Sequence, residues 1–274
     1  MKKILITGAE GQDGKILSEI LIKNRYLAYG FVKKKIIEIN PDSIVHFGSD
    51  NPSYNKSFLK KDFVKNLSFT KKLIDYICEN NSIQLIIISS SQIFKKTEKK
   101  INENSPVCAT SYYSKFRIDS AKYLLHKKKI CNLKATVVIL FNHDSKYRNP
   151  RFLLPRLVKA IKINDIKFIN KIYLENITGD FSHAEDICNG IFLLIKTSKN
   201  PDKLILCSGK KIYINDIIFF LNKNLKKYLP SKSFLKSSKS LNNLIGTNHL
   251  ARKIIGWKPN KDIFVAVKEM YKSY

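Results

Sequence analysis

Gly8, Gly11 and Gly14 stand three residues apart, directly behind the apolar run Ile4-Leu5-Ile6 and directly ahead of Lys15 to Ile22, whose apolar residues recur on a helical period. The order is strand, glycine turn, helix. Its chemistry is the holding of a pyrophosphate. The first glycine permits a sharp turn, the second lets a phosphate approach the main chain, and the third lets helix and strand pack closely. The N-terminus of the helix then presents free N–H groups to the phosphate oxygens. Gln12 and Asp13 fall inside the same turn and belong to the candidate cofactor site. A glycine triplet also suits an ordinary strand-to-helix turn, but its place behind the first strand argues for the start of a nucleotide-binding sheet.

A second chemical feature lies at Leu85 to Ser91, a strand rich in isoleucine that runs out into three serines. An open parallel sheet puts its chemistry at the carboxyl ends of its strands. The elements that must position these groups follow in alternation. Tyr26 to Val32 reads as a second strand ending in Lys33, Lys34 and Lys35. Ser43 to Phe47 reads as a buried strand leading into Gly48-Ser49-Asp50-Asn51, and Asp62 to Tyr76 as a helix. A long helix is entered from a loop within Pro106 to Lys128, followed by the strand Lys134 to Phe141. Further on, helices are expected at Phe152 to Ile163, Asp180 to Thr197 and Ile214 to Leu225, with a short strand at Leu204 to Ser208. Strand–helix alternation through the first half predicts an α/β fold with a doubly wound parallel sheet. Residues 1–145 are expected to form the nucleotide-binding domain. Residues 146–274 are expected to form mainly a small C-terminal substrate lobe, with some segments returning to the first domain.

An acid at the end of the second strand would hold the ribose hydroxyls of NAD, whereas basic residues suit the extra phosphate of NADP. Only lysines stand there, so Lys33 and Lys34 are candidate cofactor contacts and NADP is favoured, with NAD possible. The chain of 274 residues carries 50 basic against 22 acidic residues, a formal charge of +28. Lysines occur in nearly every segment, with no arginine-rich arm and no recognisable nucleic-acid module. The charge therefore reads as composition bias that would still attract an anionic substrate, and nucleic acid is not the expected partner. No apolar run is long enough for a membrane span, and the first strand begins at once without a cleavage site, so a cytoplasmic location is expected. Cys78, Cys108, Cys131, Cys188 and Cys207 are odd in number and free of CxxC spacing. They are expected to be reduced thiols, with no disulfide and no metal site.

The turn Thr7-Gly8-Ala9-Glu10-Gly11-Gln12-Asp13-Gly14 resembles the extended short-chain dehydrogenase/reductases and, within them, the GDP-mannose 4,6-dehydratases. Later segments resemble the same family in the right order: Ser89-Ser90-Ser91-Gln92, Ser111 to Arg117, Leu140-Phe141-Asn142-His143-Asp144-Ser145, Asp180 to Asp186, and Gly256-Trp257-Lys258-Pro259. The resemblance implies a Rossmann-like fold and a homo-oligomer. Against the family, the helix and strand that normally precede Ile36 to Phe47 are missing, so the sheet is expected to be shortened at one edge.

Family members use a hydroxyl acid/base beside a cation to move a proton as hydride passes between a sugar carbon and the nicotinamide. The resemblance makes Tyr113 that hydroxyl and puts Arg117 at the family's lysine, four residues on and on the same helical face. Arginine keeps the charge and can reach ribose hydroxyls, but it is bulkier and forked. Ser90 takes the family's Ser/Thr position, and Gly48 lies where the family runs close to the cofactor. Asn142 is implied as a contact to the nucleotide sugar, with Arg148 nearby for phosphate. Gln92 stands where dehydratases carry a glutamate that removes a proton and helps expel water, which a carboxamide cannot do. Gly179 and Ser237 replace two nucleotide-gripping arginines, with Lys236 and Lys239 near the second. The implied function is that of a GDP-mannose 4,6-dehydratase acting on a GDP-sugar. The alternatives are an NADP-dependent 4-keto-sugar reductase or 4-epimerase, or a non-catalytic sugar-nucleotide binder.

Overall fold

In the computed structural model, residues 1–31, 36–48, 51–53, 56–225 and 244–274 are described. Lys33, Lys34, the Lys/Ser-rich stretch 231–240 and hence Lys236, Ser237 and Lys239 lie outside them. The elements run β1 (Lys3–Thr7), α1 (Gln12–Lys23), β2 (Leu27–Gly30), α2 (Ile36–Ile39), β3 (Ser43–His46), α3 (Lys60–Glu79), β4 (Gln84–Ser90), α4 (Tyr112–Cys131), β5 (Ala135–Leu140) and β6 (Asn142–Asp144). They continue with α5 (Leu153–Lys162), α6 (Ile166–Glu175), β7 (Thr178–Gly179), β8 (Phe181–His183), α7 (Ala184–Lys196), β9 (Lys203–Leu206), β10 (Ile212–Tyr213), α8 (Ile214–Leu225), α9 (His249–Ile255) and α10 (Ile263–Ser273).

Six strands form one parallel sheet in the order β2-β1-β3-β4-β5-β9. Because side chains alternate across a strand, Ile4, Ile6, Val45, Ile86 and Ile88 face one way and pack against α1, α7 and Trp257. Leu5, Ile44, Leu85 and Ile87 face the other way, against α3 and α4. Both faces are covered, which is why the strands read as continuous apolar runs. A third core, containing Leu157, Ile172, Ile217 and Val267, belongs to α5, α6, α8 and α10.

The order reverses at β1, with β2 on one side and β3 on the other, so the crevice between the ends of β1 and β3 is the switch point where such sheets bind ligands. Among the described residues β2 is the edge strand, reached from β3 through the single turn α2.

Two expectations need correction, and one helix carries no expectation at all. The helix expected from Asp180 begins only at Ala184, because Phe181–His183 pairs with β6 and the His183 ring accepts from Glu185 N at 3.1 Å as a cap. The helix α6 was not legible, although Asp165 caps it by accepting from Phe168 N at 3.0 Å. The cysteines are not all reduced. Cys78 near the end of α3 and Cys131 at the end of α4 are bonded to each other, with Cα atoms 5.4 Å apart, because the two helices pack side by side. Cys108, Cys188 and Cys207 are free.

His46 at the end of β3 is buried between β1 and α3, its Nδ1 2.7 Å from Thr7 Oγ1 and its Nε2 2.9 Å from Thr70 Oγ1. Burial, with the nearby Arg117 charge, lowers its pKa from 6.5 to about 3. A folded value below the unfolded one means stability that is present above pH 6.5 and is lost as pH falls towards about 3. The slope is about 1.4 kcal/mol per pH unit. Urea unfolding over that interval is expected to show His46→Gln losing less stability than the wild type, since glutamine takes up no proton.

Candidate active site

The end of β1 turns at Gly8, whose φ of 78° is left-handed, and α1 starts behind Gly11, which offers its first N–H groups no side-chain cap. A Cβ on Gly14 would stand 2.4 Å from Gly8 O and 2.5 Å from Ala9 Cα, so only glycine lets α1 pack this closely on the turn. A close-packed, uncapped helix N-terminus fits a dinucleotide's diphosphate.

The turn opens into a cleft of about 980 Å³. All twelve described candidates line it: Gly8, Gly11, Gln12, Asp13, Gly14, Gly48, Ser90, Gln92, Tyr113, Arg117, Asn142 and Arg148. They come from the ends of β1, β3, β4 and β5, the start of α4 and the segment after β6.

Tyr113 stands in the first turn of α4, where Ser111 caps the helix by accepting from Ser114 N. Its ring is 3% exposed and packs edge-on against Phe58, centroids 5.5 Å apart, while its hydroxyl donates to Asn51 Oδ1 at 2.7 Å. One turn on, Arg117 is 4% exposed. Its Nη1 donates to Ile88 O at 2.5 Å and Phe47 O at 3.1 Å, and its Nη2 to Asn51 Oδ1 at 3.3 Å. The guanidinium carbon lies 5.1 Å from the Tyr113 ring centroid, so the positive charge is kept beside the phenol. This cation spends its outer nitrogens on protein acceptors. Gly48, with φ 84°, makes room for it, since a Cβ there would stand 2.5 Å from Arg117 Nη1.

Ser90 Oγ accepts from Gln92 N at 3.3 Å at the start of the single 3₁₀ turn Ser91–Ile93, leaving the Gln92 side chain exposed to the cleft. Asn142, also exposed, donates to Asp180 O at 3.3 Å. Arg148 pairs with buried Asp144 at 3.2 Å and lies 3.7 Å over the Phe152 ring. Burial raises the Asp144 carboxyl, and Arg148 opposes that rise.

Asp180 has a different place. Buried, it accepts from Ser208 N, Ser208 Oγ, Gly209 N and Gly246 N at 2.5–3.2 Å, which ties three loops together. Trp257 Nε1 donates to Asp186 O at 2.9 Å and anchors the closing motif.

Asn51 was not singled out from the sequence as a partner of Tyr113, nor were Lys146 and Arg151 as cleft residues. The run Lys146 to Arg151 carried a compositional signal in its three cations; Asn51 carried none. Among the described residues no group of three His, Cys, Asp or Glu side chains is placed to hold a metal ion, and no helix is long and apolar enough to cross a membrane.

The family model of GDP-mannose 4,6 dehydratase matches residues 31–270. GDP-mannose 4,6 dehydratase 1 of Arabidopsis thaliana is 23% identical over 98% of this chain and 88% of its own length. Among solved structures, dTDP-glucose 4,6-dehydratase from Bacillus anthracis in complex with NAD superposes with a TM-score of 0.81 at 14% identity, covering 100% of this chain and 96% of that one. RMD from Pseudomonas aeruginosa complexed with NADPH gives 0.81 at 16% identity, covering 100% and 97%. The likeness of the solved structures carries the fold, and the family model spans the cleft from Gly48 to Arg148: the chain belongs to the GDP-mannose 4,6-dehydratase family of nucleotide-sugar enzymes.

Proposed function

We propose that this is an NADP-preferring enzyme acting at C4 of a GDP-sugar, with chemistry of the 4,6-dehydratase type. The observation that carries it is the meeting of Tyr113 and Arg117 with the β1 glycine turn in one cleft. The turn and the start of α1 would hold the dinucleotide, with Gly48 beside it. A nicotinamide bound there supplies the acceptor and later the donor of hydride.

Tyr113, acting as its phenolate with the Arg117 cation beside it, takes the proton of the C4 hydroxyl and becomes the neutral phenol as hydride leaves C4 and the C4–O bond becomes a ketone. Ser90 donates a hydrogen bond to the same sugar oxygen. Asn142 and Arg148 receive the sugar and phosphate. Gln92 favours a second reading, in which the same residues only reduce or invert C4, because those reactions need no carboxylate at that position.

Titrating the protein with NADP and with NAD while following its fluorescence tests the cofactor: tighter binding of NADP is expected, and no binding of either would sink the reading. Incubation with GDP-mannose and related GDP- and UDP-sugars, followed by mass, distinguishes water loss from reduction or inversion.

A further inference from the structure

Asp13 and His143 are 130 residues apart in sequence and meet on the wall of the cleft. Asp13 lies in the first turn of α1, and His143 in β6, which pairs with β8. His143 Nε2 is 3.1 and 3.0 Å from the two Asp13 carboxylate oxygens, and His143 Nδ1 is 2.7 Å from Phe141 O. A carbonyl oxygen can only accept, and so can a carboxylate. Both ring nitrogens therefore need a proton, and the geometry is satisfied by an imidazolium facing a carboxylate.

The electrostatics run the same way. Burial would raise the Asp13 carboxyl, but the His143 charge and hydrogen bond, helped by Arg148, bring it down to about 2. Burial pulls His143 down while Asp13 pulls it up, and the net direction is above its ordinary 6.5.

The other groups facing the pair leave this assignment intact. Gln12 donates to Asp13 Oδ1 at 2.9 Å and to His143 O at 3.3 Å, and accepts from Ser145 Oγ at 3.0 Å. From α7 the Cys188 thiol donates to Asp13 O at 3.4 Å; burial raises this thiol well above its ordinary value, so it is neutral, and Glu185 of α7 acts on it from beyond. Arg148 is engaged by Asp144, whose carboxyl also feels Asp13, and Tyr274 lies close enough to Asp144 to feel its charge.

An uncompensated carboxylate in the first turn of α1 would repel the anion that the helix N-terminus is built to receive. We infer that His143 is a positioning residue for cofactor binding: its protonated ring cancels the Asp13 charge and straps β6 to α1, so that the diphosphate of a nicotinamide dinucleotide binds more tightly while His143 holds its proton. This rests on the reading that the glycine turn holds such a dinucleotide.

The test is fluorescence titration with NADP from about pH 7 up to the highest pH at which the protein stays folded, a range in which the nucleotide's phosphates no longer titrate. Wild-type affinity is expected to fall by about 10-fold or more as His143 loses its proton, the size of one lost charge contact in a partly buried site. The double variant Asp13→Asn/His143→Gln, whose carboxamides can still bond, is expected to show a flat profile, with thermal unfolding checking that it folds. Asp13→Asn alone is the second arm, expected to bind at least as tightly as the wild type at the high end of that range. Equal pH dependence in wild type and variants overturns the inference and leaves the cofactor reading standing. Failure of the wild type to bind NADP or NAD at any pH overturns both.

Discussion

Tyr113→Phe is expected to lower turnover of a GDP-sugar by about 10²- to 10⁴-fold, the range for loss of a positioned general acid/base. The substitution removes one oxygen and leaves the packing. The ring sits edge-on to Phe58 and beside the Arg117 guanidinium, contacts that phenylalanine keeps. What goes is the hydroxyl that donates to Asn51 Oδ1, so a fold defect is not the expected cause. NADP affinity should therefore stay within about 3-fold of the wild type, since binding rests on the α1 turn. The check pairs transfer of deuterium from C4-labelled sugar with NADP titration of the same protein. A variant that still moves deuterium at the wild-type rate would show that the acid/base lies elsewhere in the cleft.

Gln92→Glu should act in the opposite direction on a later step. Proton removal next to a C4 ketone and expulsion of the C6 hydroxyl need a group that gains and loses a proton near neutrality, and a carboxamide does neither. Gln92 sits in the middle of the single turn after β4 with its side chain exposed to the cleft, so a glutamate there would pay little desolvation and could ionise. Loss of water from a GDP-sugar, followed by mass, is expected to rise by about 10²- to 10⁴-fold. Hydride movement at C4 should change little, because Tyr113, Ser90 and Arg117 are untouched. Wild-type protein that already dehydrates rapidly, with no gain from Gln92→Glu, would mean that another carboxyl performs the elimination. Wild-type protein that reduces or inverts C4 would favour the second reading, in which Gln92 is no deficiency.

The parts legible beforehand are those with a local physical cause. The turn after β1 could be read because close packing of α1 on Gly8 and Ala9 excludes any side chain at Gly14. Continuous apolar runs marked β3, β4 and β5 because helices cover both faces of the sheet. β8 was misread as helix because three residues carry no periodicity, and only their pairing with β6 makes them a strand. The Cys78–Cys131 pair was missed for a related reason: 53 residues separate the two, and it is the side-by-side packing of α3 and α4 that joins their ends.

Residue type and short-range spacing thus determined the parallel α/β sheet, the glycine turn behind β1, the placing of Tyr113 and Arg117 one helical turn apart, and the absence of a carboxylate at position 92. Each depends on chemistry within one element or between sequence neighbours. Tertiary structure alone decided what those groups touch. Nothing near Arg117 in sequence indicates that its outer nitrogens go to Phe47 O, Ile88 O and Asn51, or that Gly48 is needed to admit it. Nothing near Asp13 indicates a counter-ion 130 residues away. Partners of that kind are set by which strand ends the sheet order brings together, and that order is a property of the whole core rather than of any one segment.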